Sequence, residues 1–113
     1  MANTIFTTPY FERRYKRFKK KFATLDEDYE ALVNRLEVNP ESGTSLGSGL
    51  YKVRMASASK GQGKSGGFRV VTYLRRNTAD GTDIILITIY DKSEETTVAK
   101  GELEKLVKKY VGE

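Results

Sequence analysis

Residues 83–90 (DIILITIY) form a nearly continuous apolar run. A strand with one wet face alternates apolar and polar residues, whereas a strand covered on both faces reads as apolar throughout. The run is also too short for a typical helix, and its isoleucines favour extended backbone. It therefore predicts a central strand in a sheet that is covered on both sides.

Two further strands precede this run. Residues 50–57 (LYKVRMAS) alternate apolar with basic side chains, which predicts a half-buried strand with Lys52 and Arg54 on the same side. Residues 68–76 (FRVVTYLRR) are β-branched and aromatic enough for a second strand. The Asp-Gly pair within residues 77–82 (NTADGT) then predicts an antiparallel hairpin between this strand and the central one.

Helical periodicity precedes the strands. Thr8 followed by Pro9 offers an N-cap and a proline in the first helical position. The helix carries an aromatic stripe that is expected to be core, formed by Phe11, Tyr15, Phe18 and Phe22. Its other faces carry seven basic residues and are expected to be solvated: Arg13, Arg14, Lys16, Arg17, Lys19, Lys20 and Lys21.

A second helix is predicted after Thr24, which with Glu27 matches a capping box, and it ends at Asn39-Pro40. Residues 41–49 are predicted to form a loop rich in Gly and Ser. A C-terminal amphipathic helix is indicated by Leu103, Leu106, Val107 and Tyr110, and Gly112 closes it. With residues 4–6 compatible with a leading edge strand, the order predicts a small α+β fold, one domain spanning residues 1–113.

Composition narrows the chemistry. The 113 residues include no cysteine and no histidine, which excludes thiol catalysis and Cys-ligated zinc and removes the commonest general base. No metal or cofactor is expected. A net charge of +5 suggests a polyanionic partner. The amino terminus lacks the apolar core of a signal peptide, and no run is long enough to span a bilayer, so no membrane is expected and the cytoplasm is the expected location.

The stretch KGQGKSGG at residues 60–67 contains the Gly-Lys-Ser that ends a phosphate-binding P-loop. The P-loop spacing requires a glycine at position 58, where the chain has Ala58. A P-loop also opens a helix, whereas the residues that follow Gly67 predict a strand. The nucleotide-binding interpretation therefore fails, and a flexible hairpin loop is the simplest alternative.

The distribution of charge favours a role for this loop. The predicted strand pairing brings six cations to one end and one face of the sheet: Lys52, Arg54, Lys60, Lys64, Arg69 and Lys92. Surface lysines usually mark only a solvated face. Cations that flank the aromatic Tyr90 and a glycine-rich loop are what a phosphodiester site needs.

Three segments together resemble the RelE/HigB superfamily of toxins from bacterial toxin–antitoxin systems: GKSGGFRVVTYL at residues 63–74, DIILITIYDKSE at 83–94 and KGELEKLVKKY at 100–110. The HigB-like branch, with its Gly-Lys-Ser-Gly-Gly-x-Arg-Val signature, is the most similar. The resemblance implies a RelE-like domain and a ribosome-dependent mRNA endoribonuclease that arrests translation. It further implies a cognate antitoxin, expected to be a helix-turn-helix protein similar to HigA, through which alone operator DNA would be bound.

The resemblance also implies roles for individual residues. Arg69 matches the signature arginine that stabilises the phosphate, and Lys92 matches the basic residue after the central strand, a candidate general acid. Lys64 and Lys52, with Arg54 as an alternative, match the preceding basic residues, as phosphate ligands or as the base. RelE itself has a tyrosine a few residues past the Lys92 position, where this chain has residues 96–98 (TTV).

Further substrate contacts are expected around this core. Tyr90 would stack on a base or orient the 2′-OH, although a purely structural role as a core aromatic remains open. Lys60, Gly66 and Gly67 are expected to contact RNA, because glycine allows either a positive φ or a close approach of the backbone. The basic face of the first helix has one functional alternative, a contact with ribosomal RNA.

Two other classes of function stay open at this point. A non-catalytic module that binds nucleic acid or protein could use the same fold and the same basic surface. A structural homodimer is a weaker alternative. Substitution of Arg69 and Lys64 separates the first of these from an enzyme, because a binding module would lose affinity in a salt-dependent way and would never cut RNA.

Overall fold

The computed structural model describes residues 3–58, 67–76, 81–94 and 98–112. Three helices and five strands follow one another in the order β1 (Thr4–Thr7), α1 (Pro9–Lys19), α2 (Leu25–Val38), β2 (Thr44–Gly47), β3 (Leu50–Met55), β4 (Phe68–Arg76), β5 (Thr82–Asp91) and α3 (Lys100–Tyr110). The α+β prediction is confirmed, including the leading edge strand. None of the helices in the described ranges is both long and apolar enough to cross a membrane.

The strands form one mixed sheet in the order β1-β5-β4-β3-β2. β1 runs parallel to β5, and every other neighbouring pair is antiparallel, so the predicted hairpin of β4 and β5 is confirmed. The register between β4 and β5 shifts between Val71 and Thr72, which marks a bulge near the middle of the pair.

β5 lies inside the sheet and is buried from Asp83 to Asp91, as its apolar run predicts. One face of the sheet packs against α1 and α2, where Phe11, Phe18, Leu32 and Leu36 meet strand residues such as Val53, Phe68 and Ile89. The other face packs against α3 through Leu103 and Val107. Helices therefore cover both faces, and the α3 face carries the residues discussed below.

The beginning of α1 is tied directly to β5. Thr8 is the N-cap, and its hydroxyl accepts a hydrogen bond from the Phe11 amide at 3.1 Å. The same hydroxyl donates to two carbonyl oxygens of β5, that of Leu86 at 3.0 Å and that of Ile87 at 3.2 Å. One buried side chain thus satisfies a helix end and a strand carbonyl together.

The start of α2 differs from its prediction. Thr24 is the N-cap residue, but its side chain makes no capping hydrogen bond, so the predicted capping box with Glu27 is wrong. The Thr24 backbone has φ −94° and ψ 7° instead of the extended conformation that aims an N-cap hydroxyl at the helix amides. The hydroxyl donates instead to the Asp28 carboxylate at 2.9 Å.

The predicted loop over residues 41–49 contains the edge strand β2, so that prediction is wrong for residues 44–47. β2 pairs with β3 through Thr44 opposite Lys52 and Gly47 opposite Leu50. Its side chains are mostly exposed and its composition is that of a turn. Backbone pairing alone makes this segment a strand, and the sequence pattern therefore carries no signal for it.

The two threonine N-caps allow a matched test of whether the side chain of Thr8, and not that of Thr24, caps its helix. Thr8→Ala should lower the free energy of unfolding by about 1–2 kcal/mol, because it removes a cap and the bonds to β5 carbonyls. Thr24→Ala should change it by less than about 0.5 kcal/mol. Urea denaturation followed by circular dichroism measures the free energy of unfolding of both variants. Equal losses of this free energy would contradict the difference between the two caps.

Candidate active site

Three strands place Arg54, Arg69 and Tyr90 in one row across the sheet. Arg54 lies opposite Arg69 in the pairing of β3 with β4, and Arg69 lies opposite Tyr90 in the pairing of β4 with β5. Residues directly opposite each other in antiparallel strands share a face, with their Cβ atoms about 4.5–5.5 Å apart. Tyr90 packs in the cluster that includes Leu103 of α3, so the row lies on the α3 face.

The row forces two guanidinium groups together. Arg69 is only 4 % exposed, and burial lowers the pKa of its guanidinium; the positive charge of Arg54 lowers that pKa further, while Tyr90 raises it. Like charges directly opposite each other in a sheet are unfavourable. A phosphate would relieve this repulsion, and arginine grips two phosphate oxygens at once.

The helices on the opposite face hold the strands of this row through their backbone. Arg35, in the last turn of α2, donates from Nη2 to the carbonyl oxygen of Arg54 at 2.6 Å. Arg14 of α1 donates from Nε to the carbonyl oxygen of Ile89, the residue before Tyr90, at 2.6 Å. Arg14 was predicted to lie on a solvated face, but it is partly buried and fastens α1 to β5.

A cavity of about 240 Å³ lies on the α3 face beside the row. Its walls come from β2, β3, β4, β5 and the start of α3, and its lining residues are Leu46, Lys52, Val71, Tyr90, Val98, Ala99, Lys100 and Leu103. Lys52 lies two residues before Arg54 on β3, on the same face, as predicted. Tyr90 is 1 % exposed and forms part of the cavity wall.

The segment after β5 displays Lys92 in a tight turn. The Asp91 carboxylate oxygen Oδ1 accepts from the Ser93 amide at 2.9 Å and from the Ser93 hydroxyl at 2.8 Å, an Asx-type turn. The Glu94 amide donates to the Asp91 carbonyl at 2.9 Å, and Glu94 pairs with Arg17 at 3.3 Å. Asp91, Ser93 and Glu94 are therefore turn-forming residues that expose Lys92 near the Arg69 end of the sheet.

A family model for the RelE toxin of the RelE / RelB toxin–antitoxin system matches residues 4–111. The chain belongs to the RelE toxin family. The match spans all eight helices and strands described above, so the row of Arg54, Arg69 and Tyr90 lies inside the RelE-like fold. The more specific assignment to the HigB-like branch stays a prediction.

The RelE-like fold brings some of the predicted site residues together and leaves others apart. Lys52, Arg54, Arg69 and Tyr90 share the α3 face, and Lys92 lies at the end of β5. Gly67 immediately precedes β4, and the other three, Lys60, Lys64 and Gly66, lie outside the described residues. Among the described residues, no group of three or more Asp or Glu side chains could hold a metal ion.

Gly67, the residue before β4, has a structural reason to be glycine. A Cβ at this position would overlap the carbonyl oxygen of Met55 and would lie 3.2 Å from the Cα of Ala56. The close approach of the Met55 and Ala56 backbone to Gly67 therefore excludes a side chain at this position. This requirement holds independently of any contact between Gly67 and RNA.

Sequence reasoning missed Lys100, the first residue of α3, which lines the same cavity as Lys52 and Tyr90. It stands in a helix with several other lysines, and nothing in the spacing distinguishes it from Lys105, Lys108 or Lys109. Only the packing of α3 on the sheet shows that this lysine reaches the site face.

Two glycine substitutions test the packing at the start of β4. Gly67→Ala should lower the free energy of unfolding by about 1–3 kcal/mol, because the backbone of β3 cannot yield easily. Gly101→Ala should raise it by about 0.4–1 kcal/mol, since nothing lies within 4 Å of a Cβ there and alanine favours the helix. Thermal denaturation compares the two variants, and a Gly67→Ala protein as stable as the wild type would contradict the overlap.

The opposed arginines also make a prediction about stability. Arg54→Gln should raise the free energy of unfolding by about 0.2–1 kcal/mol at low ionic strength, because it removes the repulsion from Arg69. The gain should shrink at high salt, where charge interactions are screened. Arg76→Gln, at the exposed end of β4 opposite Thr82, is the control for net charge. A larger gain from Arg76→Gln would refute the repulsion.

Proposed function

We propose that this protein is the toxin of a toxin–antitoxin system and cleaves mRNA on the ribosome as a metal-independent endoribonuclease. The observation that carries the proposal is the row of exposed Arg54 and buried Arg69 and Tyr90 beside a cavity lined by lysines. Membership in the RelE toxin family supports the toxin role. Toxins of this family are generally mRNA-cleaving enzymes, and the basic row supplies what that reaction requires.

The proposed reaction uses the RNA's own ribose. The 2′-OH loses its proton and attacks the adjacent phosphorus, the bond to the 5′-oxygen breaks, and that oxygen takes up a proton. The products are a 2′,3′-cyclic phosphate and a 5′-OH. The transition state concentrates negative charge on the phosphorane oxygens, so fixed cations at that point accelerate the reaction.

We assign Arg69 to the phosphorane oxygens, with Arg54 beside it. The row holds Arg69 in place from both sides, and its planar fork matches two oxygens. Lys52 and Lys64 are the candidates for phosphate contact or for the base. Lys92, exposed in its turn, is the candidate acid that protonates the leaving 5′-oxygen.

Tyr90 serves this site from inside the sheet. Because its side chain is 1 % exposed and packs with Val71 and Leu103, its ring supports the cavity wall, and RNA reaches the ring only through the cavity. We propose that Tyr90 orients the 2′-OH from this wall. Lys60, Gly66 and Gly67, which lie between β3 and β4 in the sequence, are proposed to contact the RNA backbone.

The partners follow from the proposed role. The whole chain is proposed to act as one toxin domain in the cytoplasm, on the ribosome and its mRNA. A cognate antitoxin with a helix-turn-helix, similar to HigA, would neutralise it and would supply the only contact with operator DNA. Exposed cations directly after α1, Lys20 and Lys21, are available for ribosomal RNA.

The charge-conserving substitution Arg69→Lys tests the proposal. It keeps the positive charge but loses the planar fork, so single-turnover cleavage on programmed ribosomes at saturating protein should fall on the order of 10²–10³-fold, by analogy with a removed oxyanion donor. The matched double variant Lys20→Glu with Lys21→Glu changes net charge by four units away from the row. It should leave the saturated rate nearly unchanged.

One result would refute the proposed function, and another would refute the role assigned to Arg69. Absence of cleavage by the wild type, with salt-dependent RNA binding that the double variant weakens most, would establish a non-catalytic binding module. Cleavage by Arg69→Lys at the wild-type rate would remove Arg69 from the phosphate. Where the wild type does cleave, mapping of the 2′,3′-cyclic phosphate ends on the message identifies the reaction.

A further inference from the structure

Lys100 reaches across the mouth of the α3-face cavity to the edge strand β2. It is the first residue of α3 and is exposed. A Cβ on Gly47 would lie 2.9 Å from the Lys100 ammonium nitrogen, so the absence of a side chain at Gly47 leaves the room that this ammonium occupies. The ammonium group therefore lies next to the backbone of β2 at Gly47.

The charge of the cavity is uniformly positive in the described part of the chain. Its two charged lining residues there are Lys52 and Lys100, and no carboxylate lines it. Neither lysine forms an ion pair with any residue in the described ranges. Two ammonium groups on the same face of the sheet as the buried Arg69 form a surface suited to an anion with more than one charge.

These cations follow one line along β3. Arg54 lies opposite Arg69, and Lys52 lies two residues before Arg54 on the same strand. Two residues earlier still, Leu50 pairs with Gly47 of β2. The Lys100 ammonium lies over this glycine. Each step of two residues advances about 6.8 Å along an antiparallel strand. This is comparable to the separation of successive phosphates in an extended single strand of RNA.

We propose that Lys100 binds the second RNA phosphate from the scissile one and so positions the strand along β3, from Arg69 past Lys52 to the start of α3. This inference rests on the proposed function, because it assumes that the scissile phosphate lies at Arg69. It adds a positioning residue from α3. In this arrangement the lysine acts on the alignment of the substrate and takes no part in the proton transfers.

The test couples a protein change to a change in the RNA. Messages are synthesised with an uncharged methylphosphonate in place of the second phosphate from the scissile one, on either its 5′ side or its 3′ side. Single-turnover kcat/KM on programmed ribosomes is then measured for the wild type, Lys100→Gln, Lys100→Arg and the control Lys105→Gln, which removes one charge from an exposed position on the same helix.

On the unmodified message, Lys100→Gln should lower kcat/KM about fivefold, the size expected of one partly exposed charged contact. Lys100→Arg should retain most of the activity, and Lys105→Gln should match the wild type. One of the two methylphosphonates should lower wild-type kcat/KM by a similar factor and should cause no further loss in Lys100→Gln.

Independent losses from the protein change and from both RNA changes would overturn the inference while leaving the proposed function intact. So would a Lys105→Gln variant as impaired as Lys100→Gln. If the wild type cleaves no message at all, the proposed function fails and the inference fails with it. Circular dichroism of each variant verifies that a loss reflects binding and not unfolding.

Discussion

The pairing of β4 with β5 is the interaction on which the rest of the molecule depends. β5 is buried from end to end, and β4 is buried over the half that carries Arg69. The register of this pair puts Arg69 opposite Tyr90, and the pairing of β4 with β3 adds Arg54. A slip of one residue in the pairing of β4 with β5 would put Arg69 and Tyr90 on opposite faces of the sheet.

The opposition of two arginines in this row works against stability, and the surrounding structure compensates for it. Arg35 and Arg14 donate to the carbonyl oxygens of Arg54 and Ile89, so both helices of the hairpin fasten the strands from behind. The apolar packing of Tyr90 against α3 fastens them from the front. The proposed phosphate site is therefore formed before any RNA arrives, and preformed charge is what lowers a barrier most effectively.

Much of this architecture is predictable from the sequence, because it depends on periodicity. The apolar run of β5, the alternation in β3 and the Thr8-Pro9 cap each indicate the element that is present. β2 carries no such signal, since backbone pairing alone forms it. The predicted strands placed four site residues on one face, whereas the role of Lys100 depends on where α3 packs. Spacing within a helix cannot give that position, and the roles of Arg14 and Arg35 depend on tertiary contacts in the same way.

The most direct test of the central claim observes the arginine side chains themselves. The Nε–Hε signals of the wild-type protein can be followed by nuclear magnetic resonance during titration with a nucleoside 2′,3′-cyclic phosphate, the proposed product end. The account predicts that the signals of Arg54 and Arg69 shift together, while those of Arg13 and Arg17 on α1 stay in place. Shifts confined to the α1 arginines, with Arg69 unchanged, would contradict it.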